Sequence, residues 1–90
     1  MKEIYSIKDT KVSGFLTPFF VNNETEAVRS IKVAVQDSHL QLCIFSEDYD
    51  LFKIGEFDEI SGQITTCQPM FIVGCSKLKK EMRKNVNDQD

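Results

Sequence analysis

Apolar and polar residues alternate over residues 2–8, KEIYSIK, placing Met1, Tyr5 and Ile7 on one side and Ile4 on the other. Such alternation of β-branched and aromatic types, ended by the turn-prone pair Asp9-Thr10, predicts a first strand. Beyond Ser13-Gly14, the run GFLTPFFV predicts a second strand with Phe15, Phe19 and Val21 in phase. Pro18 has no N–H to give a sheet ladder, so it belongs at an edge or a bulge.

The period then lengthens from two to that of a helix. Across residues 24–37, Ala27, Val28, Ile31, Ala34 and Val35 form one stripe, with Arg29, Lys32, Gln36 and Asp37 mostly off it, the pattern of a helix laying one face on a sheet. Asn23 suits the N-cap, and Glu26 stands at the spacing from which its carboxylate can reach back to the cap N–H. Val33 falls off the stripe, which leaves it either exposed or in contact with a partner. Over residues 38–45, Leu40, Leu42 and Ile44 alternate as in a strand. An irregular connection burying single side chains fits the same residues, and both readings stay open.

Residues 46–62, SEDYDLFKIGEFDEISG, are the most structured stretch of the pattern. Ser46, Glu47 and Asp48 predict a capped single helical turn, since a serine followed by acids suits the positive end of a helix dipole. A strand follows in which Phe52 and Ile54 share a face, while Phe57 is out of phase by one residue. A bulge at Gly55 brings Phe57 back to their side. Asp58 to Gly62 carry hairpin chemistry, with Gly62 free to take a positive φ, and QITTCQ returns as a strand. Pro69 interrupts the ladder, FIVG adds a short strand, and from Ser76 onward KLKKEMRK is a helix former with a thin apolar stripe of Leu78 and Met82. The expected class is α+β: a small, mostly antiparallel sheet of four or five strands with one helix, 24–37, packed on one face and a basic C-terminal helical tail. Residues 1–75 form a single domain in this reading, and 76–90 a basic, frayed tail.

Composition adds three constraints. Ninety residues are near the lower size for one unstapled core, but 41% hydrophobic residues with seven Phe and two Tyr supply enough to bury. No apolar run approaches the ~20 residues of a membrane span, and the alternating start is no signal peptide, so the expectation is a protein that stays in the cytoplasm without contacting membrane. Cys43, Cys67 and Cys75, odd in number and irregularly spaced, read as reduced thiols and not as a disulfide framework.

Charge is uneven. Five bases and one acid in residues 77–84 give that run +4, against −7 for the remaining residues. Lys77, Lys79, Lys80, Arg83 and Lys84 are therefore the candidate nucleic-acid contacts, with Arg29 beside them, because clustered cations release counterions from phosphates whatever the sequence. A solvated helical face explains the same run. The Phe of residues 15–20 could stack bases, but phenylalanines alternating in a strand serve a core more often than a platform.

His39 and the three Cys lack the spacing of a zinc knuckle. The carboxylates of 47–50 and 56–59 read as capping and turn chemistry. No catalytic constellation is present, so neither metal, cofactor nor enzymatic activity is expected.

The string EDYDLFKIGEFDEISGQIT with Cys67-Gln68-Pro69 resembles the hallmark of the small nonstructural protein of gokushovirus-type microviruses, which are single-stranded DNA bacteriophages. Here it is carried by Glu47, Asp48, Tyr49, Leu51, Phe52, Ile54, Gly55, Phe57, Asp58, Ser61 and Gly62. IYSIKD at 4–9, TPFF at 17–20 and EAVRSI at 26–31 extend the likeness over most of residues 4–70. Ser46 stands where that pattern has proline, and the basic tail is not part of it.

The resemblance implies a phage nonstructural accessory protein in the host bacterial cytoplasm. By analogy of role it acts in viral DNA replication, at the switch to single-stranded DNA synthesis and packaging, binding single-stranded DNA or the replication complex. The alternative is a homodimeric interaction module that binds the replication initiator or procapsid proteins and no DNA. Either way, residues 46–62 read as a folding signature, with the functional surface elsewhere.

Overall fold

The computed structural model describes residues 1–88, with side chains to residue 81. Its organising element is β1 (Lys2–Asp9), which pairs on both edges. Along one edge lie β2 (Gly14–Phe15) and then β3 (Phe19–Val21), and along the other lies β4 (Tyr49–Phe57). The expected second strand is thus split in two, with Thr17-Pro18 in the break. Ser6, fully buried, donates its hydroxyl to the Leu16 carbonyl at 2.6 Å and holds that break against β1. β5 (Ile64–Gly74) pairs with β4 and ends the sheet, which is antiparallel at every pairing. The α+β class and five-stranded sheet agree with the pattern.

The helix begins where Asn23 predicts. In α1 (Glu24–Ala34) the Asn23 side-chain oxygen accepts the Glu26 N–H at 2.9 Å. Glu26 reaches back one residue further than expected, accepting the Asn22 N–H at 2.8 Å and its amide at 3.0 Å. These bonds hold the Glu26 carboxyl below its ordinary pKa. The helix ends at Ala34 instead of 37, and its inner face, Ala27 and Ile31 followed by Val35, is buried against Tyr5, Ile7, Tyr49 and Leu51 of the sheet.

Residues 38–45 form no strand. The segment makes a one-turn helix, α2 (Gln41–Ile44), that tucks Leu42 and Cys43 inward and leaves Leu40 and Ile44 outside. A 3-10 turn at Ser46–Asp48 follows as expected, but Ser46 makes no cap bond and is buried inside the turn. The helix α3 (Cys75–Asp88) starts in the core: Cys75 and Leu78 are buried with α1 and the sheet. Lys32 of α1 and Glu81 of α3 meet at 3.9 Å, so both helices lie on the same side. Burial pushes the Cys75 thiol up to about 12, which makes it an inert packing group.

Irregularities in β4 and β5 set which side chains face which way. Ile4 pairs with Gly55 and Tyr5 with Lys53, so the extra residue is Ile54, one position before the expected bulge. Phe52 and Phe57 nevertheless share a face, opposite Ser6 and Lys2. β5 runs as one strand through Pro69, because Cys67, Gln68 and Pro69 stand out of register between the Met70 and Thr66 pairs. At the hairpin, Asp58 accepts the Ile60 N–H at 2.9 Å and Gly62 takes φ 78°.

Candidate functional site

All helices described above cover one side of the sheet. The residues of β1 that point the other way are Lys2, Ile4, Ser6 and Lys8, and their cross-strand partners share that side. Phe15 pairs with Lys8, Phe20 with Ile4, Phe52 with Ser6 and Phe57 with Lys2, while Phe71 pairs with Phe52 and Ile64 with Phe57. Five of the seven phenylalanines therefore gather on the face that no helix covers.

The rings form two edge-to-face groups. Phe52 is central to one, with its centroid 5.5 Å from Phe15 at 80° and 5.8 Å from Phe71 at 81°. Phe20 and Phe57 make the other at 5.7 Å and 81°. Such T-shaped packing fixes the rings and leaves some faces turned outward. Phe15, Phe20 and Phe71 are 43%, 49% and 57% exposed. The Lys8 ammonium lies 5.8 Å from the Phe15 centroid and 5.9 Å from that of Phe52, a cation–π arrangement that keeps a positive charge over the rings. Asp50, cross-strand to Lys8, is the acid at that end, and the Lys2 ammonium at the other donates to Asn22 at 2.5 Å.

Rigid rings with an adjacent cation can hold planar groups joined by phosphates. Each ring face offers stacking that does not depend on base identity, and the lysines offer phosphate contacts. This placement corrects the assignment of the phenylalanines at 15–20 to the core: only Phe19 packs on it, stacked on Tyr5 at 6.3 Å. It also draws Phe52 and Phe57 of the 46–62 stretch into the candidate surface.

The charged candidates fall on the other side. Arg29 is exposed on α1, beside Lys32, and Lys77 and Lys80 are exposed on α3. Lys79 is tied down, donating to the Cys43 carbonyl at the end of α2 at 2.8 Å. The side chains of Arg83 and Lys84 lie outside the described residues. The Lys32–Glu81 pair joins the two helices that carry these bases, but neither helix reaches the phenylalanine face. Among the described residues no three His, Cys, Asp or Glu side chains gather as a metal site, and no helix is long and apolar enough to cross a membrane. Among the carboxylates, Asp58 serves the hairpin turn: held by the Ile60 and Ser61 N–H groups, it titrates below its ordinary value.

One signal for the open face was present in the sequence. A single amphipathic helix and the start of a second can cover one side of a five-stranded sheet, whereas the phenylalanines occupy both phases of the strands. The surplus had to face outward.

A family model described as Phage ORF5 protein matches residues 2–78. The matched region contains the whole phenylalanine face, Lys8, Arg29 and Lys77, and stops short of Lys79, Lys80, Arg83 and Lys84. No curated protein and no solved structure matches the chain.

Proposed function

Because the chain belongs to the Phage ORF5 protein family, we propose that it is a nonstructural accessory protein of genome replication in a gokushovirus-type microvirus, acting in the host cytoplasm by binding single-stranded DNA. It works by binding and not by catalysis. The observation that carries this reading is the helix-free sheet face, where five phenylalanines stand with Lys8 over two of them. DNA bases stack on the exposed rings, and Lys8 meets the backbone. Lys77, Lys80 and Arg29 add longer-range attraction from the other side, and Arg83 and Lys84 add to the positive charge of the same run.

The experiment is a titration with labelled single-stranded DNA at ~50 and ~200 mM salt, in which cationic contacts must lose affinity with salt. Each stacked base is worth roughly 1–3 kcal/mol, so Phe20→Ala and Phe71→Ala each weaken binding about 5- to 150-fold at fixed salt. Lys8→Ala flattens the salt dependence. Absence of binding at the lower salt, or binding indifferent to both phenylalanines, overturns the proposal.

One observation favours a second reading. Outside residues 77–84 the chain carries −7, which repels DNA and suits a module that binds the replication initiator or procapsid proteins through the same apolar face. Capture of either protein by the wild type and not by Phe71→Ala, with no DNA binding, supports that version.

A further inference from the structure

The free edge of the sheet carries no charge. β5 is the last strand, paired only with β4 among the described residues, and its residues from Ile64 to Phe71 are all exposed. Proteins protect such edges with charges, proline, bulges, a covering element or a very short strand. Here no charged residue occurs from Ile60 to Ser76, seventeen positions in a chain that is 28% charged. Two register breaks interrupt the edge, one at Cys67, Gln68 and Pro69 and a smaller one at Ile72, leaving residues 64–66 on one side and 70–74 on the other to pair.

The same seventeen residues argue for what covers this edge. A second copy is an acidic body like the first, so its approach is repelled wherever the acidic surfaces meet. It can dock only where both copies are neutral. Self-pairing of β5 puts no like charges opposite one another, whereas a basic partner would be drawn to the acids, which β5 lacks. We propose that two copies of this chain join through β5, antiparallel, about a two-fold axis normal to the sheet. A rotation about that axis reverses the strand direction and preserves the face. The product is a ten-stranded sheet with the helices of both copies on one side and both phenylalanine faces on the other. Phe71 and Ile64, the exposed open-face residues of β5, then lie at the centre of a continuous platform instead of at its margin. That consequence for DNA rests on the reading above, but the dimer does not.

Light scattering across a dilution series tests the interface. The wild type is expected at twice the chain's 10.3 kDa, and Cys67→Lys with Gln68→Lys at 10.3 kDa. Both residues are exposed and out of register with β4, the Cys67 thiol making one long contact to the Lys53 carbonyl at 4.0 Å, so the variant is expected to keep its circular dichroism, and their position near the middle of β5 sets added charges close across the two-fold. Val33→Lys, on the outer face of α1, leaves the mass doubled. A wild type that is monomeric throughout, or a dimer that survives the double lysine variant, overturns the proposal. The site size for oligo-dT separates the two inferences: a dimer that binds no DNA removes only the DNA reading, while DNA bound by a monomeric wild type removes only the dimer.

Discussion

Substituting alanine for Gly55 tests the register on which the phenylalanine face depends. A Cβ at this position would sit 2.6 Å from the Thr65 carbonyl oxygen, with the Thr66 Cα at 3.5 Å. Carbon and oxygen approach to ~3.3 Å at ordinary contact, so β4 and β5 must separate by about 0.7 Å where they pair through Gly55–Thr66 and Glu56–Thr65. The obstacle is backbone and cannot rotate away. Overpacking of this kind costs roughly 1–3 kcal/mol, a sizeable part of the ~5–15 kcal/mol that holds a small domain. At ~4–8 °C per kcal/mol for a chain this size, a cost of about 2 kcal/mol lowers the melting midpoint by roughly 8–16 °C. The other glycines supply an internal scale. At Gly74 the nearest atom is the Asp50 carboxylate oxygen at 3.2 Å, which a flexible side chain can withdraw, and at Gly14 it is the Val12 methyl at 3.8 Å. Urea unfolding followed by circular dichroism should rank the alanine variants Gly55 far below Gly74, with Gly14 unchanged or stabilised. A Gly55→Ala midpoint equal to that of Gly14→Ala would refute the close approach and the register drawn from it.

Leu78→Ala removes a side chain buried against α1 and the sheet, so urea unfolding should show a loss of about 2–5 kcal/mol. A loss near zero would mean that α3 does not complete the core. For Asp58 the sign follows from its lowered folded pKa: the stabilisation is present above the unfolded value of ~3.9 and is lost as the pH falls through the folded one. Carboxyl NMR titration should place the Asp58 midpoint below that of an unfolded aspartate, and Asp58→Asn should approach wild-type stability as the acid limb is descended. A midpoint at or above the unfolded value contradicts the turn geometry.

Much of the local structure was legible because it rests on local chemistry. Asn23 caps α1, Gly62 turns the hairpin with a positive φ, and Asp58 gathers the loop amides, each through residues a few positions away. What escaped the pattern depends on partners distant in sequence. The alternation of Leu40, Leu42 and Ile44 fits a strand and a connection alike, and the choice falls to α3, whose Lys79 donates to the Cys43 carbonyl thirty-six positions away. The same holds for the candidate face. Phe15, Phe20, Phe52, Phe57 and Phe71 come from four strands, and their common side is decided by the Ile54 bulge and by the helices all taking the opposite side. A basic run, by contrast, is visible in one dimension, which is why Lys77 to Lys84 stood out, although Lys79 proves to be spent on the Cys43 carbonyl.

The central position of β1 also sets a schedule during synthesis. β2 and β3 follow within a few residues and can occupy one edge of β1 almost at once, but the other edge must wait for β4, and forty residues separate Asp9 from its partner Tyr49. At ~5–20 residues per second on the ribosome, that edge stays open for roughly 2–8 s, with the apolar groups of the half-built sheet in water. The nascent chain is most prone to aggregation in that interval. Slower elongation between Val21 and Tyr49 lengthens it, so the yield of folded protein should depend on the rate at which α1 and α2 are translated.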